Sequence, residues 1–183
     1  MKRLGLAILA VALCMVATRP AMAQGTLRYG IQAGLLMPMG DYNTADKPGW
    51  VAGAGATYWL PGSGNIGVRA DASYSQTSHD FNVSGNTKIF GAMASFVYAL
   101  MPASAPARLI LNAGVGLYNV KIDAGGVSGS ESKVGFGGGA ALAFKLGTGT
   151  TRLVVGSRFT SVSTSTSSTT FLPITVGLSF GKK

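Results

Sequence analysis

Phe171-Leu172-Pro173-Ile174-Thr175-Val176-Gly177-Leu178-Ser179-Phe180 decides how this chain is read. Counting back from Phe180, every second residue is large and apolar: Leu178, Val176, Ile174 and Leu172. Ser179, Gly177, Thr175 and Pro173 occupy the other parity. Successive side chains of a strand point to opposite faces, so this segment has one oily face and one small or polar face. A strand tilted across the hydrocarbon core of a bilayer needs roughly 9–11 residues, and this one is long enough. It reads as the closing strand of a barrel that spans a membrane.

An alternating last strand that ends in an aromatic resembles the C-terminal signal of bacterial outer-membrane β-barrel proteins, which the barrel-assembly machinery recognises. Phe180 is the residue that would carry this assembly signal. Gly181, Lys182 and Lys183 follow it, where the family pattern usually stops at the aromatic.

The other end of the chain speaks about compartment. Lys2 and Arg3 precede the apolar run from Leu4 to Val16, and Ala21-Met22-Ala23 stands ahead of Gln24. A basic start, a short apolar core and a small-x-small exit describe a secretory signal peptide over residues 1–23, leaving 24–183 as the barrel domain. A retained membrane anchor is disfavoured because the apolar run is too short to span comfortably. Acylation of Cys14 as a lipoprotein is disfavoured because Leu13 precedes it, where the lipoprotein pattern has a small residue. Cys14 is the one cysteine and leaves with the signal, so disulfides, thiol catalysis and cysteine metal sites are excluded, and no cofactor or metal is expected. Loss of Lys2, Arg3 and Arg19 reduces fifteen basic residues to twelve against six acids, and the formal charge from +9 to +6.

Eighteen charged residues in a mature chain of 160 are too few to dress a water-facing surface, which usually carries roughly 25–35%. Yet the charge-free run 89–107 is broken by Pro102 and Pro106, and Phe90, Ala92, Ala94, Phe96 and Tyr98 follow a period of two rather than a helical one. The 27 glycines also argue against long helices. Export, low charge, abundant glycine and alternation together indicate an all-β, eight-stranded antiparallel transmembrane barrel.

Strands are expected near residues 27–37, 50–60, 66–75, 88–100, 108–122, 132–145, 151–162 and 171–180. The first sets Leu27, Tyr29, Ile31, Ala33 and Leu35 against Arg28, Gly30, Gln32 and Gly34, and ends at Pro38-Met39-Gly40-Asp41. The second carries Trp50 at one end and Tyr58 and Trp59 at the other, as interfacial aromatic girdles would require. In the third, Ile66, Val68, Ala70, Ala72 and Tyr74 oppose Gly67, Arg69, Asp71, Ser73 and Ser75. The fifth is ambiguous, because Leu109, Leu111, Val115 and Leu117 compete with Ile110 and Tyr118. The sixth sets Val134, Phe136, Ala140, Leu142 and Phe144 against Lys133, Gly135, Gly137, Gly139 and Lys145; the seventh sets Leu153, Val155 and Phe159 against Arg152, Gly156, Arg158 and Thr160. Links 61–65, 101–107 and 146–150 are short, whereas 38–49, 77–86, 123–131 and 163–169 are mostly longer and polar. Barrels of this class keep short turns in the periplasm, so both termini are expected there.

The whole mature chain resembles the small eight-stranded outer-membrane barrels of the OmpA transmembrane-domain, OmpX and opacity-protein type, with stretches such as Gly67-Val68-Arg69-Ala70-Asp71 sharing their flavour. The resemblance implies a monomer in the outer membrane of a Gram-negative-type bacterium, surrounded by lipid and lipopolysaccharide.

The candidate site is the inward polar cluster Arg28, Arg69, Asp71, Lys133 and Arg158, with Lys145 and Arg152 on the same parity. Eight strands leave an interior just wide enough for side chains, and buried charges need partners, so a plug with Asp71 paired to Arg69 or Arg158 is expected over a conducting path. His79, in Thr77-Ser78-His79-Asp80, offers a Ser-His-acid arrangement, but sequence neighbours on a loop do not make a triad. The glycines at 135–139 lack the strand-loop-helix setting of a phosphate loop. Basic residues are dispersed rather than clustered with aromatics, which excludes nucleic acid as a partner. Lys47, Lys88 and Lys121 are placed to meet lipopolysaccharide phosphates. A non-enzymatic structural or surface-interaction role leads, with a narrow solute channel, a lipid-modifying enzyme and a soluble lipocalin-type barrel as rivals.

Overall fold

The computed structural model describes residues 25–40, 42–43, 46–62, 64–79, 85–124, 127–163 and 168–181. The expected signal peptide, Asp41, Asp80, Lys182 and Lys183 lie outside the described residues. Eight strands follow one another around a closed antiparallel barrel: β1 (Thr26–Met39), β2 (Gly49–Trp59), β3 (Ile66–Ser78), β4 (Gly85–Ala99), β5 (Ala107–Ala124), β6 (Val127–Lys145), β7 (Arg152–Ser163) and β8 (Ser168–Gly181). Closure is made by β8 on β1, with Phe180 opposite Tyr29 and Thr170 opposite Met39.

The exterior is apolar around the whole circumference. Ile31, Leu35, Val68, Val115, Val134, Val155 and Val176 are all exposed, a belt that water would not tolerate and lipid requires. Aromatics border it at two levels. Trp50 and Tyr74 stack at 5.5 Å on one side, with Phe90 opposite Tyr74. Tyr29, Phe180, Tyr58, Tyr98 and Phe144 face outward near the other. From Trp50 to Tyr58 the chain climbs about 26 Å along the strand, or about 20 Å along the membrane normal at the usual tilt, close to the height of a barrel's apolar band. Among the described residues no helix is long and apolar enough to cross a membrane, and of the charge-free run 89–107, where a transmembrane helix is the rival reading, residues 89–99 belong to strand β4.

Several local expectations are corrected. Most of the expected loop 123–131 is strand: β5 and β6 stay paired to Ala124 opposite Val127, beyond the last β6–β7 partners Gly135 and Val162. The outer end therefore projects as a hairpin. Pro38 does not end β1, which continues to Met39 alongside β8. Trp59 is not part of a girdle but is buried in the lumen, since Tyr58 beside it takes the outward parity. The parity of β5 resolves with Leu111, Val115 and Leu117 outside and Tyr118 and Val120 buried within.

Candidate functional site

The lumen is layered along the barrel axis, and its middle layer is ionic. Arg69 and Asp71 stand two apart on β3 and so share the inward face, while β7 brings Arg158 from across the barrel. Asp71 accepts from Arg69 Nε at 2.9 Å and from Arg158 Nη1 and Nη2 at 3.1 and 2.9 Å. Its side chain is only 2% exposed, against 26% for Arg69 and 15% for Arg158. The Arg158 contact is a fork-to-fork pair, the geometry in which guanidinium and carboxylate bind most strongly. Gln32 accepts a further bond from Arg69 at 3.4 Å.

Arg28 and Lys133, expected in the same cluster, lie elsewhere. Lys133 belongs to the projecting β5–β6 hairpin, where it pairs with Glu131 at 2.7 Å. Arg28 sits at the short-turn end and donates to Ser179 Oγ at 3.1 Å and to the Ser179 carbonyl at 3.0 Å. Beside it are Arg152 and a residue that alternation alone does not single out, Arg108. Arg152 donates to the carbonyls of Ala103 and Ala105, and Arg108 to those of Met101 and Gly64. Lys145 is exposed at the same end.

Above the ionic layer the lumen is hydrocarbon. Leu36, Val51, Ile89, Tyr118, Val120, Val162 and Phe171 form one buried cluster, with Tyr42 closing over it from the β1–β2 connection. The expectation of a polar interior is thus corrected: the outer half of the lumen is sealed by apolar packing. Glycine makes room for it. A Cβ on Gly91 would stand 2.5 Å from the Tyr118 ring and one on Gly135 2.9 Å from it, so the ring lies flat against two bare backbones. Phe171 meets the same ring edge-on at 6.0 Å.

A polar network caps the apolar plug. Asp46, from the β1–β2 connection, is buried and accepts from Thr87 Oγ1 at 3.0 Å and from Thr77 Oγ1 at 3.2 Å. Tyr42 bonds Thr77 at 2.7 Å, and burial holds the Tyr42 phenol above its ordinary range, so it remains a donor. His79 reaches this network rather than Ser78, with Nε2 at 3.3 Å from Thr87 Oγ1 and 3.6 Å from Asp46 Oδ1. Both partners crowd one ring nitrogen. A triad needs the acid on one nitrogen and the nucleophile on the other, so this is a strap and not a triad.

With a lipid-facing belt and a filled lumen established, comparison with known proteins is decisive on one point. The profile of the family described as "Outer membrane protein beta-barrel domain" matches residues 7–180. This chain belongs to that family. Its localisation is accordingly the outer membrane, and its fold that of the small barrels which the last strand resembles. No curated protein sequence matches it significantly. Among solved structures, this outer-membrane barrel is similar to Neisserial surface protein A, at 16% identity over 85% of this chain and 96% of that one, with a TM-score of 0.64. Ail, the attachment invasion locus protein of Yersinia pestis, solved with the heparin analogue sucrose octasulfate, is similar at 20% identity over 86% and 99%, with a TM-score of 0.55. The outer-membrane enzyme PagL is similar at 16% identity over 84% and 98%, with a TM-score of 0.52. These likenesses concern the fold: surface proteins and an enzyme share it.

Proposed function

We propose that this barrel is a closed, non-catalytic, monomeric surface protein that works through its outer rim rather than through its lumen. The observation that carries this reading is the apolar packing of the outer half of the interior, where Leu36, Ile89 and Val162 are no more than 3% exposed. The cavity that runs up to this packing, lined by Leu36, Ile89 and Phe171 among others, is about 120 Å³, room for a few waters. Outside, Lys88 and Lys121 are cross-strand partners on the outward parity of β4 and β5. Asp123 lies 3.2 Å from one and 3.4 Å from the other, so a single carboxylate serves two ammonium groups at the rim. The surplus charge suits lipopolysaccharide phosphates. Phe180, outward and opposite Tyr29 in the lower girdle, is presented where the assembly machinery would meet it.

Planar-bilayer recording tests the reading: no stable conductance is expected, and a large persistent one would sink it. Lipid-ester hydrolysis that disappears in His79→Ala would favour the enzyme instead. For the rim, Lys88→Gln with Lys121→Gln should weaken retention on lipopolysaccharide vesicles while leaving binding to neutral phospholipid unchanged.

A further inference from the structure

Among the described residues, the short-turn mouth of the lumen gathers positive charge without an acid to balance it. Arg108 and Arg152 are buried to 4% and 8% exposure, and Arg28 stands close enough for the three guanidiniums to repel one another. None makes an ion pair among the described residues: Asp71 is committed to Arg69 and Arg158, Asp46 lies in the outer cap, and Asp123 and Glu131 lie on the projecting hairpin. Asp41 and Asp80 lie outside the described residues. Backbone carbonyls of the short turns accept from all three arginines, but a guanidinium has five N–H groups and a carbonyl carries no net charge to offset them.

Trp59 adds an independent sign. It is buried to 6% exposure against the same mouth, with the Arg108 guanidinium 4.6 Å from its ring centroid. Its indole N–H is buried and has no acceptor among the described residues. An indole can only donate, and leaving a buried donor unpaired is costly. Arg28, Arg108, Arg152 and Trp59 together line a cavity of about 360 Å³. Every one of these four side chains offers donors, three of them charged, and what the described residues do not supply is an anionic acceptor.

We propose that this mouth is a binding site for a small polyvalent oxyanion, of the phosphate or polycarboxylate class, entering from the periplasm. Three guanidiniums call for more than one negative charge, and a cavity of this size limits the ligand to a few heavy groups. The site is ringed by short-turn residues such as Pro61, Gly62, Pro102 and Ala103, at the mouth of the cylinder. The apolar plug above closes the path to the outside, which makes the mouth a dead-end vestibule.

The experiment uses the whole mature barrel folded in micelles at low ionic strength, titrated calorimetrically with inorganic pyrophosphate and, separately, with citrate. Saturable one-to-one binding of either is expected, pyrophosphate alone assigning the phosphate class and citrate alone the carboxylate class. Arg108→Gln or Arg152→Gln should weaken it by roughly tenfold or more, each having lost charged hydrogen bonds. Lys88→Gln, at the opposite rim, should leave it unchanged. Trp50→Phe makes Trp59 the lone tryptophan, since the chain has 2. Its emission should then titrate with the anion in a barrel whose arginines are intact, so the test survives if an arginine variant fails to fold. No saturable heat and no Trp59 response, or binding indifferent to both arginine substitutions, would overturn the proposal.

Discussion

Replacing Asp71 by alanine isolates the energetics of the ionic layer. The carboxylate is 2% exposed and holds Arg158 by two bonds and Arg69 by one. Removing it strands two guanidiniums in the lumen, and breaking a buried pair on one side typically costs 3–5 kcal/mol, about 4 for this geometry. With a urea slope of about 2 kcal/mol per molar for a domain of this size, the unfolding midpoint should fall by about 2 M. The assay is urea unfolding in lipid vesicles, read by heat-modifiable electrophoretic mobility and by tryptophan emission. Because the layer is shielded from solvent, the shift should persist from low to high salt, unlike any effect at the exposed Lys88–Asp123 pair. The companion variant Arg69→Met, Asp71→Leu, Arg158→Met removes all three charges and should recover most of the loss, since apolar replacement of a whole buried ion-pair cluster is often neutral. A midpoint for Asp71→Ala within about 0.3 M of the parent would mean that water reaches the layer freely, and the sealed-lumen reading would fail with it.

Gly91→Ala should push the Tyr118 ring off its seat, lowering stability by about 1–3 kcal/mol. In the same unfolding assay the loss should shrink in a Tyr118→Leu background, a non-additivity that marks direct contact. Thr87→Val removes a bond to the buried Asp46 carboxylate, expected to cost about 1.5–3 kcal/mol and to speed proteolysis of the β1–β2 connection before the barrel opens. Phe171→Ala should cost about 3–5 kcal/mol by leaving a void beside Tyr118. A barrel whose stability ignored this change would not be packed at that level.

Alternation made most of the barrel legible because lipid imposes a uniform demand on one parity. In β1, β3, β6 and β8 most inner residues are small or polar, Leu36 and Phe171 apart, and the contrast survives in the sequence. It fails where the lumen is itself apolar. β4 turns Ile89, Met93 and Val97 inward while Phe90, Phe96 and Tyr98 face lipid, and β5 does the same with Tyr118 and Val120. Both faces are then hydrophobic and period two carries no sign. Trp59 illustrates a different loss: adjacent to Tyr58, it cannot share the lipid face, and its parity with Gly53, Gly55 and Thr57 is the clue that places it inside. The β5–β6 hairpin reads as a loop because, beyond the bilayer, no parity needs to be apolar, although the backbone pairing continues. Register was the other hidden quantity. Arg69 and Asp71 are two apart on one strand, whereas Arg158 meets them only through the curvature of the closed cylinder.

The distribution of charge explains why one interior can be shut at the top and receptive below. Of the described acids only Asp71 lies in the membrane-spanning part of the lumen; Asp46, Asp123 and Glu131 belong to the outer end. An arginine placed low in the barrel therefore finds no acidic side chain among the described residues and turns to backbone carbonyls, as Arg28, Arg108 and Arg152 do at the short turns. Those bonds tie each turn to the barrel wall, a structural gain that leaves the net charge in place. Moving an acid there would neutralise the mouth but add a second buried pair whose desolvation roughly cancels its attraction. Hydrocarbon at the outer half avoids that difficulty, because apolar packing excludes ions without needing partners. The two halves thus answer one constraint, the cost of unpaired charge in a narrow lumen, by opposite means: the outer half packs hydrocarbon beneath a hydrogen-bonded Asp46, and the inner half keeps its cations at the rim where a mobile anion can complete them.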